Sequence, residues 1–398
     1  MFTINDILSY EVPVTRKLKV KIIDILAFFI ITVAALLARA SLFDFVSRDY
    51  ELFLHPWFHS LKQAGGLNGI GLRIGDYTPP YIYILSLLTY LPFNSLYSIK
   101  LVSCLFDVAC AILIFKMLFQ QYKKVPLALL GYGIFLFTPT VLLNSAYWGQ
   151  CDIIFTFFLL LCLNQSLQNK PLSSMVYFAI AFTFKLQAVF FAPLLLLLWL
   201  KGKFKFKHFF IIPLVYFISV IPAFLMGRPL FKLLTIYISQ SGQYPELSLN
   251  APNFYSWFGT NDTSFIISKA GVLFCGIVIL LLLYIFYYKI KTLNHNLIVS
   301  LALFFVILVP FFLPHMHERY FYVADIFAIV YAFTFPKQFY IAVGIILCSL
   351  ASYCPYLFQT TPISLNHVAF ILLGLLLLIG KNIFRQLQSQ KVSENTEL

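Results

Sequence analysis

The stretch FIISKAGVLFCGIVILLLLYIFY, residues 265–287, carries a single charge, Lys269, in 23 residues. As an α-helix it would be roughly 34 Å long, enough to cross the ~30 Å hydrocarbon core of a bilayer. Comparable apolar segments recur near 21–41, 79–94, 98–119, 126–144, 150–166, 172–185, 187–200, 207–226, 294–313, 321–335, 338–353 and 366–380. None shows the ~10-residue apolar–polar alternation of a transmembrane β-barrel. In lipid the backbone must bond within its own segment, so the spans are helices. The expected fold is an all-α polytopic transmembrane helical bundle, one domain over 1–398, with about 11–13 membrane helices.

Composition agrees with that reading. The 398 residues are 61% hydrophobic and 11% charged, whereas a soluble domain would carry roughly 25% charged residues. The 45 Phe and 24 Tyr read as lipid-facing bulk and interfacial anchors. A net charge of +13 would suggest nucleic acid in a soluble chain. Here the charge falls into short clusters: Arg16, Lys17, Lys19 and Lys21; Lys123 and Lys124; Lys201, Lys203, Lys205 and Lys207; Lys289 and Lys291; Lys337; Lys381 and Arg385. The positive-inside rule makes these cytoplasmic, including a tail at 381–398, and no nucleic-acid partner is implied. The N-terminal basic stretch precedes an apolar segment without a small-residue cleavage pattern, so a retained first span is expected. The seven Cys show no metal-ligand spacing and read as small hydrophobes. No cytoplasmic loop approaches the ~100 residues of a nucleotide-binding domain, and neither a P-loop nor a dinucleotide fingerprint occurs.

The opposite face then receives the longer loops, a first outer loop at 42–78 and a second at 227–264. It also receives 144–150, the tip near Lys185–Gln187, 313–320 and 353–365. Lys123 and Lys124 conflict with this scheme if every segment crosses. The expectation adopted is that 79–94, opened by Pro79-Pro80, is interfacial or re-entrant, and that 172–185 and 187–200 form a hairpin. Both termini are then cytoplasmic, with about 12 crossings.

Four polar clusters gather on that outer face. The first loop contains Arg48-Asp49-Tyr50-Glu51 with His55 and Trp57, and ends in Gly75-Asp76-Tyr77-Thr78-Pro79-Pro80. A carboxylate there could serve as general base; a solvated loop with an aromatic belt would look similar. The second cluster, Asn144 through Asp152, sets Gln150 and Asp152 at the mouth of an apolar helix. They suit sugar hydroxyls with Trp148 as a stacking plate, or equally a helix N-terminus favoured by a carboxylate. Third, Lys185 and Gln187 interrupt an apolar stretch, where an ionisable group is a functional candidate or a snorkelling lysine. Fourth is Pro314-His315-Met316-His317-Glu318-Arg319-Tyr320. Its two His lack the spacing of a zinc-protease helix, whereas Arg319 suits bidentate pairing with phosphate, oriented by Glu318. Asp24, Asp107 and Asp325 lie inside spans, as an ion path or as partners of neighbouring helices. Asn261-Asp262-Thr263 matches a glycosylation sequon.

In this order the clusters resemble the GT-C superfamily of polytopic glycosyltransferases. They are most similar to bacterial mannosyltransferases related to the second mannosyltransferase of GPI-anchor synthesis. The stretches that carry the likeness are Asp49-Tyr50-x-x-Phe53-x-x-Pro56-Trp57, Gly65-Gly66, Asp76 through Tyr81, Ile99-Lys100 with Phe106-Asp107, Asn144 through Asp152, Phe184-Lys185-Leu186-Gln187 and His317-Glu318-Arg319-Tyr320. The resemblance implies short amphipathic helices in the first outer loop, a polyprenyl-phosphate sugar donor and a glycan or glycolipid acceptor. It implies transfer with inversion on the extracytoplasmic face; the retained first span and the lack of an ER-retrieval tail lead one to expect a bacterial inner membrane. The base by position is Asp49, with Glu51 as the alternative. Arg319, Lys185 and His317 are candidates for the donor phosphate. Tyr50, Trp57, Asp76, Tyr77, Trp148, Gln150, Asp152, Gln187 and Glu318 are candidates for the sugar and acceptor. No cofactor is required, although a divalent metal remains compatible. A transporter or flippase of lipid-linked saccharides, or an O-antigen-type polymerase, is the competing expectation.

Overall fold

The computed structural model describes residues 8–15, 18–75, 77–240, 245–258 and 265–395. Asp76 and the Asn261-Asp262-Thr263 sequon lie outside the described residues, as do Arg16 and Lys17. Almost everything described is helical. The main helices are α1 (Ile22–Ala40), α2 (His55–Gln63), α3 (Pro79–Leu88), α4 (Ser95–Tyr122), α5 (Val125–Leu136), α6 (Pro139–Tyr147), α7 (Asp152–Leu167), α8 (Pro171–Phe184) and α9 (Leu186–Leu200). They continue with α10 (Phe206–Leu225), α11 (Phe265–Lys289), α12 (His295–Phe312), α13 (Tyr322–Thr334), α14 (Pro336–Leu357) and α15 (Leu365–Asn395). Among the described residues strand pairing is confined to an N-terminal hairpin, β1 (Glu11–Thr15) with β2 (Leu18–Lys21), a short parallel pair, β3 (Ser248–Leu249) with β4 (Met316–His317), and an isolated bridge between Asn250 and His317.

Each of the thirteen apolar segments is found as a helix or a bent helix pair. Among the described residues seven helices are long and apolar enough to cross a membrane. The bent pair α5–α6, turned by 50°, makes an eighth if counted as one span. The chain is therefore an all-α, multi-pass membrane protein. The remaining apolar helices, α3, α7, α8, α9 and α13, are shorter, so 11–13 full-length spans is more than helix length alone supports. At ten residues, α3 rises only ~15 Å and is too short to cross by itself. The expected hairpin of 172–185 and 187–200 opens at its tip. From Lys185, α8 packs on α7 and α10, while α9 packs on α11 and α12.

Helix ends follow local chemistry. Asn94 caps α4 by accepting a bond from the Tyr97 amide at 2.8 Å, and Asn294 caps α12 through the Leu297 amide at 2.9 Å. Pro occupies the first turn of α3, α5, α6 and α8, where its missing N–H costs no bond. The centre of the bundle is α12, buried over 83% of its span. By contrast, α1 is buried over 11% and α11 over 22%. Their exposed Phe29, Ile30, Leu37, Ile266, Leu273 and Leu280 would form an untenable apolar patch in water and are suited to lipid.

Two buried cations that composition alone would not locate tie the helices together. Arg39 of α1 donates from Nε to Asp107 of α4 at 2.9 Å, and from Nη1 to the carbonyls of Ala35 and Leu136. Ser145 donates to the same Asp107 oxygen at 2.5 Å. Lys100, also fully buried, donates to the carbonyls of Leu42, Phe43 and Phe45 at 3.1, 2.9 and 2.6 Å, so α4 clamps the start of the first outer loop. The in-span carboxylates Asp107 and Asp325 thus have partners on neighbouring helices, Asp325 accepting from Ser349 at 2.7 Å. Arg39→Leu should leave Asp107 buried and uncompensated and destabilise the protein by roughly 3–5 kcal/mol, whereas Arg39→Leu with Asp107→Leu should recover most of that loss. Denaturant unfolding of the three variants in detergent measures both steps.

Candidate functional site

The site is built on two stretches of wide, π-type helical turn, Tyr50–Leu54 and Leu143–Tyr147; such turns recur at functional positions because they re-aim side chains within a helix. Asp49 stands at the head of the first. Ser47 fixes the approach: its hydroxyl donates to the Trp148 carbonyl at 2.8 Å and accepts from the Tyr50 amide at 3.2 Å. The second stretch ends with a bond from the Trp148 amide to the Leu143 carbonyl. Gly149 then takes a φ of +79°, a left-handed conformation open to glycine at no steric cost. That reversal brings Gln150 back beside Trp148, and the two side chains meet one carboxylate.

The carboxylate is Asp49. Its Oδ2 accepts from Trp148 Nε1 at 3.0 Å and from Gln150 Nε2. Its Oδ1 accepts from the Tyr356 hydroxyl at 2.5 Å. An ionised carboxylate offers about four acceptor positions, so Oδ1 keeps one for another hydroxyl. Arg319 approaches from the other side, with Nη1 3.5 Å from Asp49 and 3.4 Å from Glu318, and Nε 3.6 Å from Asp152. Asp152 also accepts from Asn144 at 3.0 Å and pairs with Lys185. Thr78 donates to the Thr183 carbonyl at 2.5 Å, which joins the end of the first outer loop to the turn that carries Lys185.

These groups border a cavity of about 610 Å³, within the size range of small-molecule sites. Asp49, Trp57, Tyr77, Gln150, Lys185, Gln187, His317, Glu318 and Arg319 all line it. The four sequence clusters therefore converge on one space. Four expected roles change. Glu51 is exposed and does not line the cavity, because the turn that points Asp49 inward carries its second neighbour outward. Tyr50 is turned toward Ser95 and His55, bonding them at 2.6 and 3.2 Å. Trp148 is fully buried, stacked on Tyr356 at 5.0 Å; it holds Asp49 and presents no face to a sugar. Asp152, also buried, is occupied by Lys185 and Asn144. His315 also lines the cavity, but its ring nitrogens are engaged by the Glu246 carbonyl and Ser268 at 2.8 and 2.5 Å. Asn144 and Arg48 were seen in the sequence clusters without a role, and Tyr356 was not singled out. Tyr356 is more than 300 residues from Asp49 and follows an unremarked Pro355, and nothing local signals the contact.

The site's buried charge is nearly balanced. Arg319 and Lys185 face Asp49 and Asp152, and the fifth group, Glu318, is held toward its neutral form. Burial pushes the Glu318 carboxyl up to about 7, against the opposing pull of Arg319. Burial, with Arg319 and Lys185 nearby, presses the His317 imidazole down to about 3, so it stays uncharged at neutral pH. The chain matches no known family model, and no curated protein matches its sequence.

Because the folded-state value for Glu318 is raised above the ordinary 4.5, the native protein holds a proton that the unfolded chain has released. Stability from this group is complete below about 4.5 and is lost as pH rises toward 7. Glu318→Gln should therefore raise the unfolding temperature relative to wild type at pH 8 and make little difference at pH 4. Thermal unfolding of both proteins in detergent at the two pH values checks this.

Proposed function

We propose that the protein is a membrane glycosyltransferase. It transfers a hexose from a polyprenyl-phosphate sugar to an acceptor hydroxyl on the extracytoplasmic face, with inversion. Mannose is the sugar suggested by the family resemblance. The observation that carries the reading is Asp49, a carboxylate on a large cavity with one acceptor position left open on Oδ1 and its other positions filled by fixed donors.

In this reading the acceptor hydroxyl donates to Asp49 Oδ1. As its oxygen attacks the anomeric carbon, the proton passes to Asp49. The bond from that carbon to the phosphate oxygen breaks, and its electron pair leaves with the polyprenyl phosphate. One displacement inverts the centre, and no covalent sugar–enzyme intermediate forms. Trp148, Gln150 and Tyr356 hold the base against rotation, so the geometry is set before substrate arrives. Arg319 and Lys185 supply positive charge near the departing phosphate. They reach it from behind Asp49 and Asp152, as partners already engaged, so their contribution is electrostatic rather than a free clamp. Trp57, Tyr77 and Gln187 are placed to contact the sugar or acceptor. A lipid-linked donor also suits a chain whose basic loops are too short to fold a nucleotide-sugar domain.

The experiment is transfer of label from polyprenyl-phosphate-mannose to a panel of sugar acceptors by protein reconstituted in liposomes. Asp49→Asn should lower the rate by roughly 10²–10⁴-fold, the usual contribution of a general base, while donor binding persists. Glu51→Gln should stay near wild type. An active Asp49→Asn variant would remove Asp49 from the base role. An inactive wild type with mannosyl, glucosyl and arabinosyl donors alike would sink the transferase reading.

A further inference from the structure

Beside the main cavity lies a second cleft of about 280 Å³, lined by Arg73, Gly75, Tyr77, Arg228, Lys232 and Gln240 among others. It shares Tyr77 and Gln240 with the main cavity, so the two spaces adjoin. Its three cations come from separate parts of the chain, Arg73 from the first outer loop and Arg228 and Lys232 from the second. Among the described residues none of the three is ion-paired with a carboxylate. Arg228 Nη1 is buried without a hydrogen-bond partner, and burial and the neighbouring charge of Arg73 both work against its cationic form. Arg73 and Lys232 are exposed, so the cost falls on Arg228, whose buried donor is unsatisfied, and an anion would relieve it.

The two loops are built to meet. Gly71 packs so tightly on residue 226 that a Cβ there would fall 1.9 Å from the Met226 carbonyl oxygen. Gly227 follows at φ +95° and turns the chain so that Arg228 faces Arg73. Immediately after come two short helices, Leu230–Leu234 and Ile236–Gln240. Phe231 and Ile238 are 77% and 73% exposed, with Leu225, Met226 and Leu234 also on the outside. Large apolar side chains turned outward beside cations that line a cleft are the pattern of a segment lying in the membrane interface. Basic groups at that depth attract anionic headgroups.

We infer that this cleft binds the phosphate of a lipid headgroup, received laterally from the membrane, and sets it beside the cavity that contains Asp49. The inference rests on the transferase reading for its purpose, since it locates where a lipid-borne substrate docks before its phosphate meets Arg319 and Lys185 in the main cavity. The cleft suits this better than the buried part of the main cavity, where Arg319 and Lys185 already face carboxylates; Arg48, which also lines that cavity, is exposed and has no carboxylate partner among the described residues. Arg228 and Lys232 pair with the phosphate oxygens, Arg73 closes the third side, and the lipid tail runs out past Phe231 and Ile238. Two sources share this chemistry, an isoprenoid carrier phosphate and a glycerophospholipid.

The test is a binding measurement that needs no transfer. The full-length protein is placed in phosphatidylcholine nanodiscs and titrated with a sugar-free, fluorescent short-chain polyprenyl phosphate, with phosphatidylglycerol as competitor. Arg228→Gln with Lys232→Gln should weaken polyprenyl-phosphate binding roughly tenfold or more, since each removes a hydrogen bond to a charged group. Arg228→Lys should restore part of it. Lys62→Gln, which removes an exposed charge elsewhere in the first outer loop, should change nothing. If phosphatidylglycerol fails to compete, the ligand is the carrier phosphate; if it competes equally and its competition is lost in the double variant, the ligand is the bulk headgroup. The inference is overturned if a monodisperse double variant, with wild-type unfolding temperature, binds both lipids as wild type does. Asp49→Asn should bind normally. A wild type that binds polyprenyl phosphate through these cations and transfers no sugar would count against the transferase reading and leave this one standing.

Discussion

Asp49 takes hydrogen bonds from Trp148 and Gln150, in the turn after α6, and from Tyr356, at the end of α14. Arg319, from the loop between α12 and α13, closes the fourth side. A single carboxylate therefore gathers three distant parts of the chain around the first outer loop. Each donor is held in turn. Trp148 is packed between Tyr353 and Tyr356, Gln150 is fixed by a bond from Ser103 to its carbonyl, and the loop bearing Asp49 is tied down by Lys100 and Ser47. Together these supports set the direction of the open position on Oδ1.

The surroundings of this carboxylate are set by the cost of charge away from water. A buried ion pair is sustained when its remaining hydrogen-bonding capacity is met, and the protein meets it by sharing. Asp152 serves Lys185, Asn144 and Arg319, while Arg319 stands among Asp49, Asp152 and Glu318. Two cations and two anions come close to neutrality, and Glu318, the surplus carboxyl, is pushed toward its protonated form. The same economy governs the bundle below, where Arg39 and Asp107 satisfy each other between α1 and α4. The cleft of Arg73, Arg228 and Lys232 departs from this pattern, and for that reason it reads as a place for an external anion.

Much of the site was legible before any coordinates. Asp49, Gln150, Lys185, His317, Glu318 and Arg319 could be picked out because polar residues are scarce in this chain and expensive where they occur. Burial of Trp148 and outward rotation of Glu51 were not legible. Both depend on wide helical turns, at Tyr50–Leu54 and Leu143–Tyr147, whose extra residue per turn leaves no pattern in composition. Lys100 and Arg39 could be seen as charges within apolar runs, but their partners are backbone carbonyls and a carboxylate tens of residues away.

Hydropathy by itself determined that the chain is helical and multi-pass, because a backbone in lipid has few ways to satisfy its own polar groups and long apolar runs leave one of them. It also determined which residues were worth watching, since each charge in such a chain needs a partner. What only the tertiary structure decided was which partner each one has. Helix rotation and loop closure are set by packing among segments far apart in sequence, and a rotation of one helical position exchanges a side chain facing the cavity for one facing away. The difference between Asp49 and Glu51 is of that kind, and so is the meeting of Arg73 with Arg228 across two loops.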